Sequence, residues 1–263
     1  MIKKRKLNTI IKKIIKEEKH CYFISPHFDD AALSAGALIS YLADKVPVTV
    51  INVFTKGDKG PYTLDSKLYL SHCKHKDANK LLYERRKEDK AVFKKLGVEV
   101  VNLGFIEALW RKKEGKNEIL RWLGKLVPEL IHLYPTYKFH MGSDKISHHD
   151  LGLKIEIKNK LADLIKRKDS IIFCPVGIGK HIDHFIVRDV CSDTFDTVIY
   201  WSDFNYSLQV AGGTKFITNK KLILDHFDKE LSLKKILIKG YKSQIYSIFP
   251  HGMIHIFPDF YYL

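Results

Sequence analysis

A chain of 263 residues that is 45% hydrophobic and 12% aromatic is long enough to bury one large core and has ordinary globular composition. Its 45 Lys and Arg against 30 Asp and Glu leave a formal net charge of +15, which suits an anionic partner but carries no information about chemistry. No zinc-finger, helix-turn-helix or RNP signature accompanies the lysines, so nucleic acid is not expected as a partner, and four cysteines without a CxxC pair exclude a disulfide scaffold and fit a reducing cytoplasm.

The basic N-terminus lacks the apolar run of a signal peptide, and nothing in the chain approaches a transmembrane span. Ile2, Leu7, Ile10, Ile11, Ile14 and Ile15 recur at helical spacing. This predicts a helix within residues 1–19, docked on the body of the protein by its apolar stripe, with peripheral membrane contact as the alternative. Cys21–Ser25 reads as a strand that stops at Pro26, and Ala31–Leu42, rich in Ala and Leu, as a helix. Val46–Phe54 is a β-branched strand. Thr55–Lys80 is polar and contains two glycines and a proline, which predicts a long loop lying over a functional site. Leu81–Leu96 reads as a helix, Val98–Leu103 as the third strand, and Glu118–Leu133 and Leu151–Lys166 as helices. Ser170–Cys174 and Thr197–Trp201 are short apolar strands, and Leu231–Tyr246 is a late helix. The alternation predicts a single α/β domain over residues 1–263, with a mostly parallel sheet covered by helices on both faces.

In such a fold, ligands bind beyond the C-terminal ends of the strands. The first strand runs into His27, Asp29 and Asp30, and the link after the fourth contains His181, Asp183 and His184. Either cluster alone could be a helix cap beside an incidental histidine. Together they bring imidazoles and carboxylates to one sheet edge. Two His and one Asp suit a catalytic zinc site, whereas magnesium or calcium prefers an all-oxygen set. A spare Asp can act as general base and a spare His can stabilise an oxyanion.

The run Ser25-Pro26-His27-Phe28-Asp29-Asp30 resembles the Pro-His-x-Asp-Asp signature of the PIG-L/LmbE-like N-deacetylases, and His181-Ile182-Asp183-His184 resembles that family's His-x-Asp-His segment. Arg85-Arg86-Lys87-Glu88, Glu107-Ala108-Leu109-Trp110-Arg111, Tyr200–Tyr206 and Tyr241-Lys242-Ser243-Gln244 are similar to further family segments. The resemblance implies a Rossmann-like fold and one zinc ion per chain, with another divalent metal as the alternative. It implies hydrolysis of the N-acetyl group of an N-acetylglucosamine-type sugar or glycoconjugate. By motif position, His27, Asp30 and His184 would bind the metal and Asp29 would be the general base. His181 would meet the developing oxyanion, oriented by Asp183, which is also expected to raise its pKa by charge. Arg85 and Glu107 would contact the sugar. Two positions depart from the common pattern: Ala31 stands where many members have Glu, and Glu107 where a sugar-contacting Asp is expected.

Other residues carry weaker signals. His72, Cys73 and His75 could form a second metal site, and Asp150 after His148 and His149 reads as a helix cap. Trp110, Trp201, Tyr206, Tyr241 and Tyr246 read mostly as packing aromatics. Two other functions stay open: an amidase acting on another small amide, such as a thiol conjugate, and a non-enzymatic basic protein that binds nucleic acid or anionic lipid. A nucleotide-dependent Rossmann enzyme is disfavoured, because no GxGxxG follows the first strand.

Overall fold

The computed structural model describes residues 6–113, 118–136, 146–166, 169–204, 215–249 and 252–263. Helix α1 (Lys6–Lys16) leads into β1 (Cys21–Ser25) and α2 (Asp30–Leu42). Next come β2 (Val48–Lys56), α3 (Leu64–His72), α4 (Ala78–Lys94) and β3 (Glu99–Ile106). They are followed by α5 (Glu118–Leu126), α6 (Leu151–Leu164), β4 (Ile171–Pro175), α7 (Ile182–Thr194) and β5 (Val198–Trp201). The chain closes with α8 (Lys215–Asn219), β6 (Leu224–Phe227), α9 (Leu231–Ile238), α10 (Lys242–Ile248) and β7 (Asp259–Tyr262).

The strands form one seven-stranded sheet in the order β3-β2-β1-β4-β5-β7-β6. β1 to β5 run parallel, and β7 pairs antiparallel with both β5 and β6. β1 pairs with β2 on one side and β4 on the other, Cys21 lying opposite both Val48 and Ile171. Chain order therefore reverses direction across β1 and β4, and their C-terminal ends flank a topological switch point.

Every residue of β1 is buried, as expected of a parallel strand covered on both faces. Its side chains alternate between two cores. Cys21 and Phe23 join α1, α2, α4 and α9, and Tyr22 and Ile24 join α6 and α7. Phe23 stacks on Phe173 of β4 with centroids 4.4 Å apart. Leu7, Ile11 and Ile14 place the apolar stripe of α1 in the first core, and the Leu7 amide donates to Asp225 of β6 at 2.9 Å. Among the described residues, no helix is long and apolar enough to cross a membrane.

The structure corrects three element readings. Residues 55–80 are not a plain loop: β2 runs on to Lys56, and α3 and the start of α4 occupy much of the segment. Thr63 caps α3 by accepting the Ser66 amide, and Asp77 caps α4 by accepting the Lys80 amide. The helix escapes the periodicity test because Leu64 and Leu68 point outwards while Ser66 is buried. The helix read over 118–133 stops at Leu126, and Pro128 opens a separate turn of 3₁₀ helix. The late helix is two helices that corner at Gly240, where a Cβ would lie 2.3 Å from Val92 Cγ2. Strands β6 and β7 escaped the sequence reading because each has four residues, and β6 carries an exposed Leu224 and no apolar alternation.

Candidate metal centre and active site

The β1–α2 link is fixed by its own side chains. Ser25 Oγ donates to the His27 carbonyl at 2.6 Å and accepts the Ala31 amide at 3.1 Å. Asp30 Oδ2 accepts the His27 amide at 2.9 Å, which folds its carboxylate back over the link. The β4–α7 link is fixed by Asp203, just beyond β5, whose Oδ2 accepts the amides of Gly177 at 2.8 Å and Ile178 at 2.7 Å. Gly177 has φ +82°, and a Cβ there would meet Phe185 at 2.7 Å. Asp29 occupies the N-cap of α2 without capping through its side chain, and His181 occupies the N-cap of α7. Both predicted clusters thus meet at the switch point, at the positive ends of two helices.

Asp30 Oδ2 lies between two imidazoles, 3.1 Å from His27 Nδ1 and 3.2 Å from His184 Nε2. One ligand atom from each of these three residues lies within 4.8 Å of the others. The rear nitrogen of each imidazole rests on a buried carboxylate: His27 Nε2 on Asp183 Oδ2 at 3.1 Å, and His184 Nδ1 on Asp203 Oδ1. Carboxylate backing of this kind orients and enriches a metal-binding imidazole. His27, His181 and Asp183 make a second converging group. Asp183 is already committed there, Oδ1 accepting from Arg111 Nη1 at 2.7 Å and Oδ2 accepting the Ala108 amide at 2.9 Å. The first group is therefore the candidate metal centre. Among the described residues, His72, Cys73 and His75 belong to no converging metal group, and His75 pairs with Glu84 instead.

The electrostatics fit a cation at this point. Burial disfavours charge on Asp30, but His184 and His27 outweigh it and hold the carboxyl well below its usual range. Burial likewise opposes charge on His27, but hydrogen bonds to Asp183 and Asp30 push it up to about 10. His184 is raised against the same burial by Asp30 and Asp203. These protons supply positive charge that a divalent ion would supply in their place.

The remaining predicted residues surround this point. Burial first and Asp30 second push the Asp29 carboxyl up to about 6. His181 sits with its ring 4.7 Å from that of His27 and 5.1 Å from that of His184. Its Nδ1 accepts the Asp183 amide at 3.1 Å, which leaves the proton of the neutral ring on Nε2. The Asp183 carboxylate lies on His27 and Arg111, and its backbone amide is what donates to His181 Nδ1. The expected rise in the His181 pKa is reversed: burial and the charge on His27 hold it well below its ordinary value, with Asp183 opposing. Glu107 is buried and raised chiefly by burial, and its Oε2 accepts from Trp110 Nε1 at 2.9 Å. Arg85 is buried on α4 with Nη2 3.6 Å from Cys73 Sγ, and Tyr69, Glu107 and Asp29 hold its charge against burial.

Asp203 and Arg111 were not assigned roles from the sequence. Asp203 backs His184. Arg111 joins Asp183 to Asp150, whose Oδ2 accepts from Arg111 Nη2 at 3.1 Å and from Tyr134 Oη at 2.6 Å. Asp150 does stand at the N-cap of α6, but its side chain serves this buried network and caps nothing. The position of Asp203 just after a strand is the signal that could have found it. Trp110, Trp201 and Tyr241 are buried, and Tyr206 and the Tyr246 side chain lie outside the described residues.

Known structures share this architecture. A deacetylase of the teicoplanin biosynthesis pathway aligns with a TM-score of 0.69 at 22% identity, covering 93% of this chain and 97% of its own. The zinc-inhibited form of teicoplanin deacetylase Orf2 aligns at 0.65 and 20% identity, with coverage of 93% and 97%. The A40926 pseudoaglycone deacetylase Dbv21 aligns at 0.60 and 19% identity, with coverage of 93% and 96%. These likenesses establish the fold. No curated protein matches the chain significantly. The profile of the PIG-L family, described as GlcNAc-PI de-N-acetylase, matches residues 22–195, a span that is more than half of the chain and contains both histidine clusters. With the family match spanning both motifs and the two motifs joined in one site, the chain belongs to the PIG-L family of de-N-acetylases.

Proposed function

We propose that this protein is a zinc-dependent hydrolase that removes the N-acetyl group from an N-acetylglucosamine-type sugar or glycoconjugate. The observation that carries the reading is the convergence of His27, Asp30 and His184, each imidazole backed by a buried carboxylate, with Asp29 and His181 beside them. Two nitrogens and one oxygen form the donor set of a catalytic zinc site with an open position. When bound, the ion supplies Lewis acidity that polarises an amide carbonyl and acidifies water.

The chain's own residues supply the rest. Asp29, poised near neutrality, takes the proton of the attacking water and returns it to the amine that leaves. His181 donates from Nε2 to the carbonyl oxygen as charge develops there, and it does so as a neutral ring. Asp183 and Asp203 hold the two ligand imidazoles in place. Arg85 and Glu107, buried and oppositely charged beside Asp29 and His27, offer a donor and an acceptor to sugar hydroxyls. The family description, with the teicoplanin-pathway and A40926 pseudoaglycone deacetylases among the structural relatives, supports an acetylated amino sugar as substrate.

The test is acetate release from a panel of N-acetylated sugars and glycoconjugates, with metal titrated from substoichiometric to excess. The excess arm matters because one structural relative is described as zinc-inhibited. Metal-dependent release of acetate that disappears in a His27→Ala, His184→Ala variant is the expected result. Metal binding without acetate release from any amide in the panel would refute the reading.

A further inference from the structure

Helix α5 turns its apolar side away from the protein. Gly124 is its buried residue, packed against the turn that follows, where a Cβ would lie only 2.4 Å from Ile131 Cγ2. Ile119, Trp122 and Leu126 share a different side of the helix, at spacings of three and four residues, and are 72%, 60% and 69% exposed. An apolar stripe ordinarily faces the core, as that of α1 does here. Leu130, after the helix, is exposed as well.

Helix α3 extends the same surface. Its Leu64 and Leu68 are exposed and four residues apart, and the Leu64 amide donates to Glu129 Oε1 at 2.9 Å, next to Leu130. The opposite side of α3 carries Tyr69 and Leu70, which pack with Leu109 and Trp110 against the wall of the site at Glu107. An apolar face spread over two helices exceeds the scattered surface hydrophobes of an ordinary soluble protein.

The basic residues of these elements lie beside that face. Arg121 and Lys125 are exposed on α5, and Lys67 is exposed on α3 beside Glu129. Lys113 Nζ bonds the Leu130 carbonyl at 3.0 Å. The acidic groups on these elements are Asp65, Glu118 and Glu129. Glu118 pairs with Arg121 at 3.6 Å, and Glu129 is engaged by the Leu64 amide. We propose that the α3–α5 face is a docking surface for an anionic lipid bilayer. Trp, Leu and Ile beside Lys and Arg is the composition that lies in a membrane interface, apolar groups below the headgroups and cations among them. Charge selects this occupant over a second copy of the chain, because Lys67, Lys113, Arg121 and Lys125 outnumber Asp65, Glu118 and Glu129 on these elements and each whole molecule carries +15. The proposal does not depend on the deacetylase reading, and its test requires no catalysis.

The probe is a vesicle of phosphatidylcholine with or without phosphatidylglycerol, read by co-sedimentation and by quenching from brominated lipid. Trp110 and Trp201 are fully buried, so quenching reports Trp122. The expected result is binding that needs phosphatidylglycerol and quenches Trp122. Leu126→Asp with Ile119→Asp should weaken binding by at least about tenfold with metal content unchanged. Arg121→Ser with Lys125→Ser should weaken it about 25-fold, at roughly fivefold per cation. Lys12→Ser with Lys16→Ser on α1 removes the same charge elsewhere and should change it little. Equal losses from the α1 and α5 charge pairs, or binding without quenching, would mean adsorption by overall charge and overturn the proposal. A dimer in solution that dissociates in the Leu126→Asp, Ile119→Asp variant would give the face to a second copy and overturn it as well.

Discussion

Asp29, Asp30, Asp183 and Asp203 crowd around three imidazoles, yet each carboxylate has a different environment and hence a different role. Asp30 is flanked by two histidines and stays ionised. Asp29 lacks that pairing, and burial leaves it at about 6, within reach of proton transfer near neutral pH. Asp29→Asn should therefore lower kcat by ~10²–10⁴-fold while elemental analysis finds the metal content unchanged. Asp203 is buried behind the His184 imidazole and is assigned a positioning role through it. Asp203→Ala should weaken metal affinity by about 10–100-fold, measured by competition with a chelator, with activity recovering at higher metal concentration. An Asp203→Ala variant that binds metal as tightly as the wild type would remove the backing role assigned to this carboxylate.

At the scale of elements, the site depends on how helices are seated rather than on their propensities. α4 brings Arg85 to the site, and its other contacts include the corner between α9 and α10. There Gly240 leaves room for Val92 of α4, and a methyl group would collide with both Val92 Cγ2 and the Leu237 carbonyl. Gly240→Ala should destabilise the protein by about 1–3 kcal/mol through overpacking. The corresponding drop in melting temperature is roughly 2–4 °C per kcal/mol for a domain of this size, read by thermal unfolding. An unchanged melting temperature would show that the corner relaxes freely.

Over the whole molecule, one buried carboxyl outside the metal centre sets a pH dependence of its own, raised further by the charge on Asp29. Asp89 on α4 accepts from Asn52 Nδ2 of β2 at 2.7 Å and from Tyr241 Oη at 2.7 Å, tying the sheet to the C-terminal helices. Burial outweighs both hydrogen bonds and pushes its pKa up to about 8 from 3.8. A carboxyl raised in the folded state contributes stability that is fully present below about pH 4 and lost as pH rises through about 8. Asp89→Asn should remove this slope, so its stability relative to wild type should rise between those limits by on the order of a few kcal/mol. Asn52 Oδ1 has no hydrogen-bond partner among the described residues and is available to accept from the new amide. Denaturant unfolding of both proteins across that range measures the difference, and parallel curves would mean Asp89 stays ionised in the fold.

The alternation of apolar strands and helices determined the α/β class, and the two histidine motifs determined which residues gather at the sheet edge. Both features are local: the links that follow β1 and β4 carry the two histidine motifs, and strand order sends them to the same edge. What the sequence could not determine was pairing between distant segments. Asp183 stands beside His181 in the chain, yet its carboxylate rests on His27 and Arg111, because a helix N-terminus turns successive side chains in different directions. Asp203 and Asp150 meet their partners only once β5 and α6 are packed. Burial is likewise a tertiary property, so the low pKa of His181 opposed an expectation drawn from its neighbour's charge alone. The outward apolar face of α5 has the same origin. Periodicity reveals that a helix has an apolar side, and only packing decides whether that side meets the core.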